Sequence, residues 1–229
     1  MFSEHPEFLN YFANYLSTPK QIIKFYTCCN KFRNYLNNIH IDNYFYTPNN
    51  FEELQIAVNI WMNDISVALN IYGHISSWNI ENITTLDHLF SYTDFNNDIS
   101  EWNTSNIITM NYVFYYADKF RQCINNWDVS KVREMDGLFY HAIHFDESLD
   151  KWDTQNVCTM ANMFRSAICF DQDISGWNIT NVLNMQYMFA HTDCFNCNLN
   201  NWLLNDKVKK EHMFIDAGNF DILNWKYNN

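Results

Sequence analysis

Seven of the eight tryptophans stand at 78, 102, 127, 152, 177, 202 and 225, at intervals of 24, 25, 25, 25, 25 and 23 residues. Spacing that regular marks an internal repeat, and a repeat limits the fold more than any local propensity does. With each Trp counted as position 1, position 13 is Phe every time: Phe90, Phe114, Phe139, Phe164, Phe189 and Phe214. Position 19 repeats as Phe120, Phe145, Phe170, Phe195 and Phe220, with Phe95 one place early where the first repeat lacks a residue. Position 9 is Leu86, Met110, Met135, Met160 and Met185, and position 16 is always Ala or Thr. Position 23 is Ile99, Ile124, Leu149, Ile174 and Leu199.

Large apolar residues at 1, 9, 13, 19 and 23, with a small one at 16, describe one closed coil of chain with its apolar groups inward. Stacking such coils makes a continuous core that no coil forms alone. Positions 9, 12, 13 and 16, as in Met160, Met163, Phe164 and Ala167, follow helical spacing and predict a short helix of about two turns. Positions 1, 3 and 6, as in Trp177, Ile179 and Val182, suit a short parallel strand. The expected fold is an α/β repeat solenoid, leucine-rich-repeat-like, with one short parallel strand and one short helix per coil and an all-helical N-terminal head. Coils at the strand spacing of roughly 4.8 Å would span on the order of 30 Å over the six repeats. Asn or Asp at position 2 (Asn79, Asn103, Asp128, Asp153, Asn178) and mostly Asn at position 5 (Asn82, Asn106, Asn156, Asn181) form amide columns suited to backbone groups left unpaired by a tight coil. The sixth repeat, WLLNDKVKKEHMF, puts Lys210 at position 9 and reads as a polar end coil.

The unit W-D/N-x-x-N-V-x-x-M-x-x-M-F-x-x-A-x-x-F-x-x-D-I-S resembles the BspA-like leucine-rich-repeat proteins over about 74–225. Members of that family occur as bacterial surface adhesins and in protists and giant DNA viruses. The resemblance implies protein binding by a repeat surface, not catalysis.

Three segments follow. Residues 74–229 are the six-coil repeat. Residues 47–73 read as a helical cap on its first coil, with an Asn start, the apolar stripe Leu54, Ala57, Trp61, Ile65, Ala68 and Tyr72, and Gly73 as the stop; Asn63-Asp64 can split it into two helices. Residues 1–46 read as a helical head with four basic and three acidic residues, about +1 against −13 for the remainder of a chain of net charge −12. The head resembles an F-box in Pro6, Glu7, Tyr15, Leu16, Pro19, Lys20, Ile22, Ile23, Cys29 and Phe32, departing from it at His5. In that family the head docks a Skp-type linker of cullin ubiquitin ligases and the trailing repeats select a target. The implied partner-binding residues are Pro6, Leu16, Ile22, Ile23, Cys29 and Phe32.

The acidic charge repels phosphate backbones and anionic lipid, so neither nucleic acid nor a membrane is an expected partner. The N-terminus lacks the basic start and apolar run of a secretory signal, and seven cysteines is an odd number. Free thiols and a cytoplasmic location, in a host cell for a viral protein, are expected. The sequons at Asn82, Asn103 and Asn178 then occur by chance.

Chemistry-bearing residues are sparse. Cys194-x-x-Cys197 lacks a second pair at metal spacing. His144, Cys169 and Cys194 share position 18, where soft ligands in a row could take a thiophilic metal, but small polar residues beside a core Phe are the plainer reading. His141 and His191 share position 15 two coils apart, too far for a catalytic pair, and Asp98, Glu147, Asp171 and Asp173 read as a solvated edge. No nucleophile, base or phosphate-loop arrangement stands out, so neither enzyme activity, small-molecule substrate, cofactor nor metal is expected. Tyr112, Tyr115, Tyr116, Tyr140 and Tyr187 on the helix segment are candidates for a contact surface, or else for helix-face packing between neighbouring coils. The expected function is that of a protein-binding adaptor. The alternatives are a structural subunit of a large viral particle or a surface-adhesion repeat protein. The register makes its own prediction: Phe164→Ala costs about 3–5 kcal/mol through transfer and cavity terms, whereas Gln186→Ala is near neutral, as chemical denaturation of the two variants would show.

Overall fold

The computed structural model describes residues 46–220 and Trp225. The F-box-like head, with Pro6, Leu16, Ile22, Ile23, Cys29 and Phe32, lies outside the described residues. Two helices lead in. Helix α1, Phe51–Asn63, starts at Asn50, whose side chain accepts the Glu53 N–H, while the Glu53 carboxylate reaches back to Asn49. This reciprocal cap satisfies donors that a helix start leaves open, and the acidic first turn suits the helix dipole. Asp64 closes α1 through its N–H to Ile60 and caps α2, Ile65–Tyr72, through its carboxylate to Val67 N. Gly73, at φ 70°, ends α2 where a side chain would be strained. Leu54, Ala57, Trp61, Ala68 and Ile71 pack into one cluster with Ile80, Ile83 and Leu86 of the first coil, and Trp61 also donates to Asn97 Oδ1 at 3.0 Å. Among the described residues no helix is long and apolar enough to cross a membrane.

Beyond a 3-10 turn at Ile75–Ser77, the described chain contains no further helix and no multi-residue strand. Instead, successive repeats are joined by backbone hydrogen bonds that run from coil to coil. In the fourth coil the N–H groups of Met160, Asn162, Phe164 and Ser166 donate to the carbonyls of Asn184, Gln186, Met188 and Ala190 at 2.8–2.9 Å. Within the coil, overlapping four-residue turns close the path: Met163 N–H to Met160 O, Arg165 to Asn162 and Ala167 to Phe164. Positions 11 and 15 adopt left-handed φ in all six coils, for instance Asn162 at 58° and Ser166 at 59°.

The expected short helix over positions 9–16 is therefore a ribbon of turns. Such turns bring side chains inward every three or four residues, as a helix does, so the apolar period is shared. The donors differ, because here they bond to the next coil and not to the fourth preceding residue. Strand pairing is likewise confined to single parallel bridges at position 8, from Thr85 through Thr109, Glu134, Thr159 and Asn184 to Lys209. Positions 3 and 6 close a turn instead, as in Val182 to Ile179.

Three aromatic columns fill the interior. The phenylalanines at positions 13 and 19 of one coil stack at 3.7–4.2 Å, shown by Phe114 on Phe120 and Phe189 on Phe195. The position-13 rings of adjacent coils follow at 5.4–5.6 Å, as Phe164 does on Phe189 and Phe189 on Phe214. From Trp102 onward each tryptophan also ties its coil to the chain before it. The Ile124 carbonyl accepts the Trp127 N–H at 3.0 Å and the Trp152 indole N–H at 3.1 Å, which uses both lone pairs of a buried oxygen. Trp177 repeats the bond to Leu149 and Trp202 to Ile174. The amide columns behave likewise: Asn106, Asn156 and Asn181 donate to position-4 carbonyls of the preceding coil, and position-2 side chains accept from their own turns.

Gly137 occupies a left-handed position at φ 58°, and a Cβ there would fall 2.2 Å from the Tyr112 ring, which lies across it. Gly137→Ala is expected to lose roughly 2–5 kcal/mol from φ strain plus the ring clash, whereas Gly176→Ala, with nothing within 4 Å, stays near neutral. Adding Tyr112→Ala to Gly137→Ala should relieve the clash but not the φ strain, a non-additivity readable in a double-mutant cycle.

Candidate functional site

Left-handed φ at positions 11 and 15 turns those side chains, with position 14, to the outside of the coil stack. In the first three coils the side chains so displayed are His88, Tyr92, Tyr112, Tyr115, Tyr116, Tyr140 and His141, and they touch one another. Tyr92 stacks on Tyr116 at 5.4 Å, and Tyr116 stacks on His141 at 4.2 Å. Tyr115 sits edge-on to Tyr92, Tyr112 and Tyr116 at 4.7–5.5 Å and lies 4.9 Å from Tyr140. His88 stacks on Tyr112 at 5.0 Å. The rim continues through Arg165, whose guanidinium lies 5.4 Å from the Tyr140 ring and 5.0 Å from the Tyr187 ring, and ends at Tyr187 on His212 at 5.0 Å.

All five tyrosines singled out from the sequence, Tyr112, Tyr115, Tyr116, Tyr140 and Tyr187, thus belong to one surface. The two readings of them coexist: the rings pack between neighbouring coils and remain partly exposed, Tyr116 at 36%. Sequence reasoning passed over Tyr92, the most open of the rim's tyrosines at 71%, and Arg165 between its two rings. The signal was present, since Tyr92 shares position 15 with Tyr116 and Arg165 shares position 14 with Tyr115 and Tyr140.

The other sequence candidates lie apart from this rim or enter it only at its border. His141 Nδ1 is 3.2 Å from Asp118 and His191 Nδ1 is 3.5 Å from Asp216, so each histidine faces its own carboxylate. His144 Nδ1 lies 2.7 Å from the Asp118 carbonyl oxygen, and Cys169 and Cys194 are exposed thiols. Desolvation and then the neighbouring Cys169 push the Cys194 thiol up. Among the described residues no three His, Cys, Asp or Glu side chains converge in a way that could hold a metal ion. Cys197 Sγ turns to Asp173 at 3.5 Å instead. Asp98 and Asp173 are held below the usual carboxylate range, Asp98 chiefly by the Ser100 N–H and Asp173 chiefly by the Ser175 hydroxyl. Asp171 accepts the Asn196 N–H at 2.8 Å, a coil-to-coil tie.

Three rim phenols, Tyr112, Tyr115 and Tyr116, are pushed up. A hydrogen bond with Tyr92, followed by desolvation and the adjacent phenols, pushes Tyr115 from 10.0 up to about 12. Desolvation is the first cause for Tyr112 and Tyr116, both also raised. Asp136, half-buried beneath Tyr112, is raised by burial against the opposing Thr159 hydroxyl and Ala161 N–H. The sign for Tyr115 is that of a raised acid. Its contribution is complete below pH 10, where folded and unfolded chains are both protonated, and falls as pH climbs toward about 12. Urea titrations on either side of pH 10 should therefore show a smaller alkaline loss of stability for Tyr115→Phe than for the parent chain.

Comparison with known proteins places this repeat. No curated protein matches the chain, and no solved structure matches it. The model of the family described as "Mycoplasma protein of unknown function, DUF285" matches residues 59–154 and again 118–227, two overlapping stretches that take in all six coils and part of α1. The chain belongs to the DUF285 family.

Proposed function

We propose that this chain is a non-enzymatic protein-recognition module, a BspA-like solenoid of leucine-rich-repeat type whose aromatic rim binds a target protein. The observation that carries the reading is the rim itself: exposed tyrosines held in a fixed array by coil-to-coil hydrogen bonds, Tyr92 at 71% and Tyr116 at 36% exposure. Tyrosine supplies large contact area with little rotamer entropy to lose, and burial of such rings against a partner is a favoured anchor. The head extends the reading to an adaptor of F-box type, supported by the match from Pro6 to Phe32, with a Skp-type linker at one end and a target on the rim, in the cytoplasm of a host infected by a large DNA virus.

Two measurements test it. Affinity capture should retain proteins on the parent chain and on an Asp171→Asn variant altered away from the rim, and lose them on the Tyr92→Ala/Tyr116→Ala variant. Retention by all three would remove the rim from the proposal. Separately, a purified Skp-type linker should bind the full chain and fail to bind after Ile22→Asp and Phe32→Asp. Equal binding by both would remove the head.

A further inference from the structure

We infer that the rim of the first three coils receives an arginine-bearing basic segment of its protein partner. The inference rests on the rim being a protein contact surface and names the chemistry it selects. Three observations converge on it.

The first is electrostatic. Rim residues 85–94, 109–119 and 134–144 carry Asp87, Asp94, Asp118, Glu134 and Asp136 against Lys119 alone. Lys119 and Asp94 pair at 2.7 Å, but their side chains are 60% and 71% exposed, so solvent screens the pair and the carboxylate stays open to competition. A field of this sign draws cationic segments and repels nucleic acid and acidic peptides.

The second is the state of the rings. Tyr92 ends the row Tyr92–Tyr116–His141, so among the described residues one of its faces has no ring against it from a preceding coil. An aromatic face on an acidic surface attracts a guanidinium twice over, by the ring quadrupole and by the surface field.

The third is a precedent inside the same rim. Tyr140 and Tyr187 stand two coils apart, and Arg165 fills the interval with its guanidinium within 5.4 Å of both rings, anchored by Nη1 to Asn162 at 3.3 Å. Arg165 Nε is, among the described residues, the buried side-chain donor without a hydrogen-bond partner. Ring contact therefore holds this guanidinium where its hydrogen bonds are incomplete. A partner arginine on the open face of Tyr92 would repeat the ring contact of Arg165 three coils away, in the field of the exposed carboxylates Asp94 and Asp118.

The test titrates the full chain with hexa-arginine, hexa-lysine and hexa-glutamate and follows binding by calorimetry at low and high salt. Expected is binding of the two basic peptides but not the acidic one, weakened by salt, with hexa-arginine favoured roughly two- to five-fold over hexa-lysine at an exposed ring. Tyr92→Ala/Tyr116→Ala should abolish the arginine preference and leave the salt-dependent part, whereas Asp94→Asn/Asp118→Asn should weaken both basic peptides. Equal affinity for the two basic peptides, or a preference that survives loss of Tyr92 and Tyr116, would overturn the inference. If proteins are captured through the rim while hexa-arginine is ignored, this inference fails and the recognition reading stands. If the arginine preference depends on Tyr92 but rim variants capture proteins as the parent does, the ligand chemistry holds and the recognition reading fails.

Discussion

Each of the first five coils hands its backbone donors to the next one. The N–H groups of positions 9, 11, 13 and 15 point along the stack, so an isolated coil would leave them without partners and would expose its Phe and Trp rings as well. The cost of a buried unpaired amide and the burial of the rings thus act through the same neighbour, and neither is gained without it. This makes stability a property of adjacent pairs of coils and makes the two ends a distinct problem. At one end α1 and α2 cover Ile80, Ile83 and Leu86 with their own apolar faces. At the other, Lys210 stands at position 9 where the earlier coils carry Met or Leu. Trp225 there lies edge-on to Phe214 and Phe220, at 75° and 70°, whereas those two rings lie nearly parallel to each other. An edge-on ring breaks the geometry that propagates the column.

Much of this was legible in the sequence because the inward positions are chemically narrow. Position 13 admits only Phe in six coils, and the columns of Phe and Trp follow directly from that register. The amide columns could also be read, since Asn at position 5 has one role wherever coils stack in register. The local backbone could not be read the same way. Inward residues at 9, 12, 13 and 16 satisfy a helix and a ribbon of turns equally, and periodicity reports which side chains face the core, not where the N–H groups go. The deciding evidence lay in the outward residues: Gly137, Asn162 and His88 at position 11, and His141, His191 and Asp216 at position 15, are types enriched at left-handed φ.

The rim was half-visible for a related reason. Its tyrosines could be listed, and a helix would also put positions 11, 14 and 15, which are i, i+3 and i+4, on one face. Which rings of neighbouring coils meet, and hence the place of Tyr92 and Arg165, does not follow from the period. In the turn ribbon all three rise to the same edge, and neighbouring coils then bring a position-15 ring of one repeat against a position-14 or position-15 ring of the next.

The rim also differs from the core in what it must supply. Positions 11 and 15 need only tolerate left-handed φ, which glycine does at the least cost, yet glycine appears there once, as Gly137, against eleven side-chain-bearing residues. Each of those stores roughly 1–2 kcal/mol of backbone strain, somewhat relieved for Asn, Asp and His. Stacking of their rings returns a comparable amount, about 0.5–1.5 kcal/mol per pair. The coil could dispense with both strain and stack by using glycine and lose nothing of its interior. Left-handed φ turns the side chains at positions 11 and 15 to the exterior in every coil, and it is the rings carried there in the first three coils, not the tryptophan ladder that first announces the repeat, that make the rim the surface of the proposed recognition.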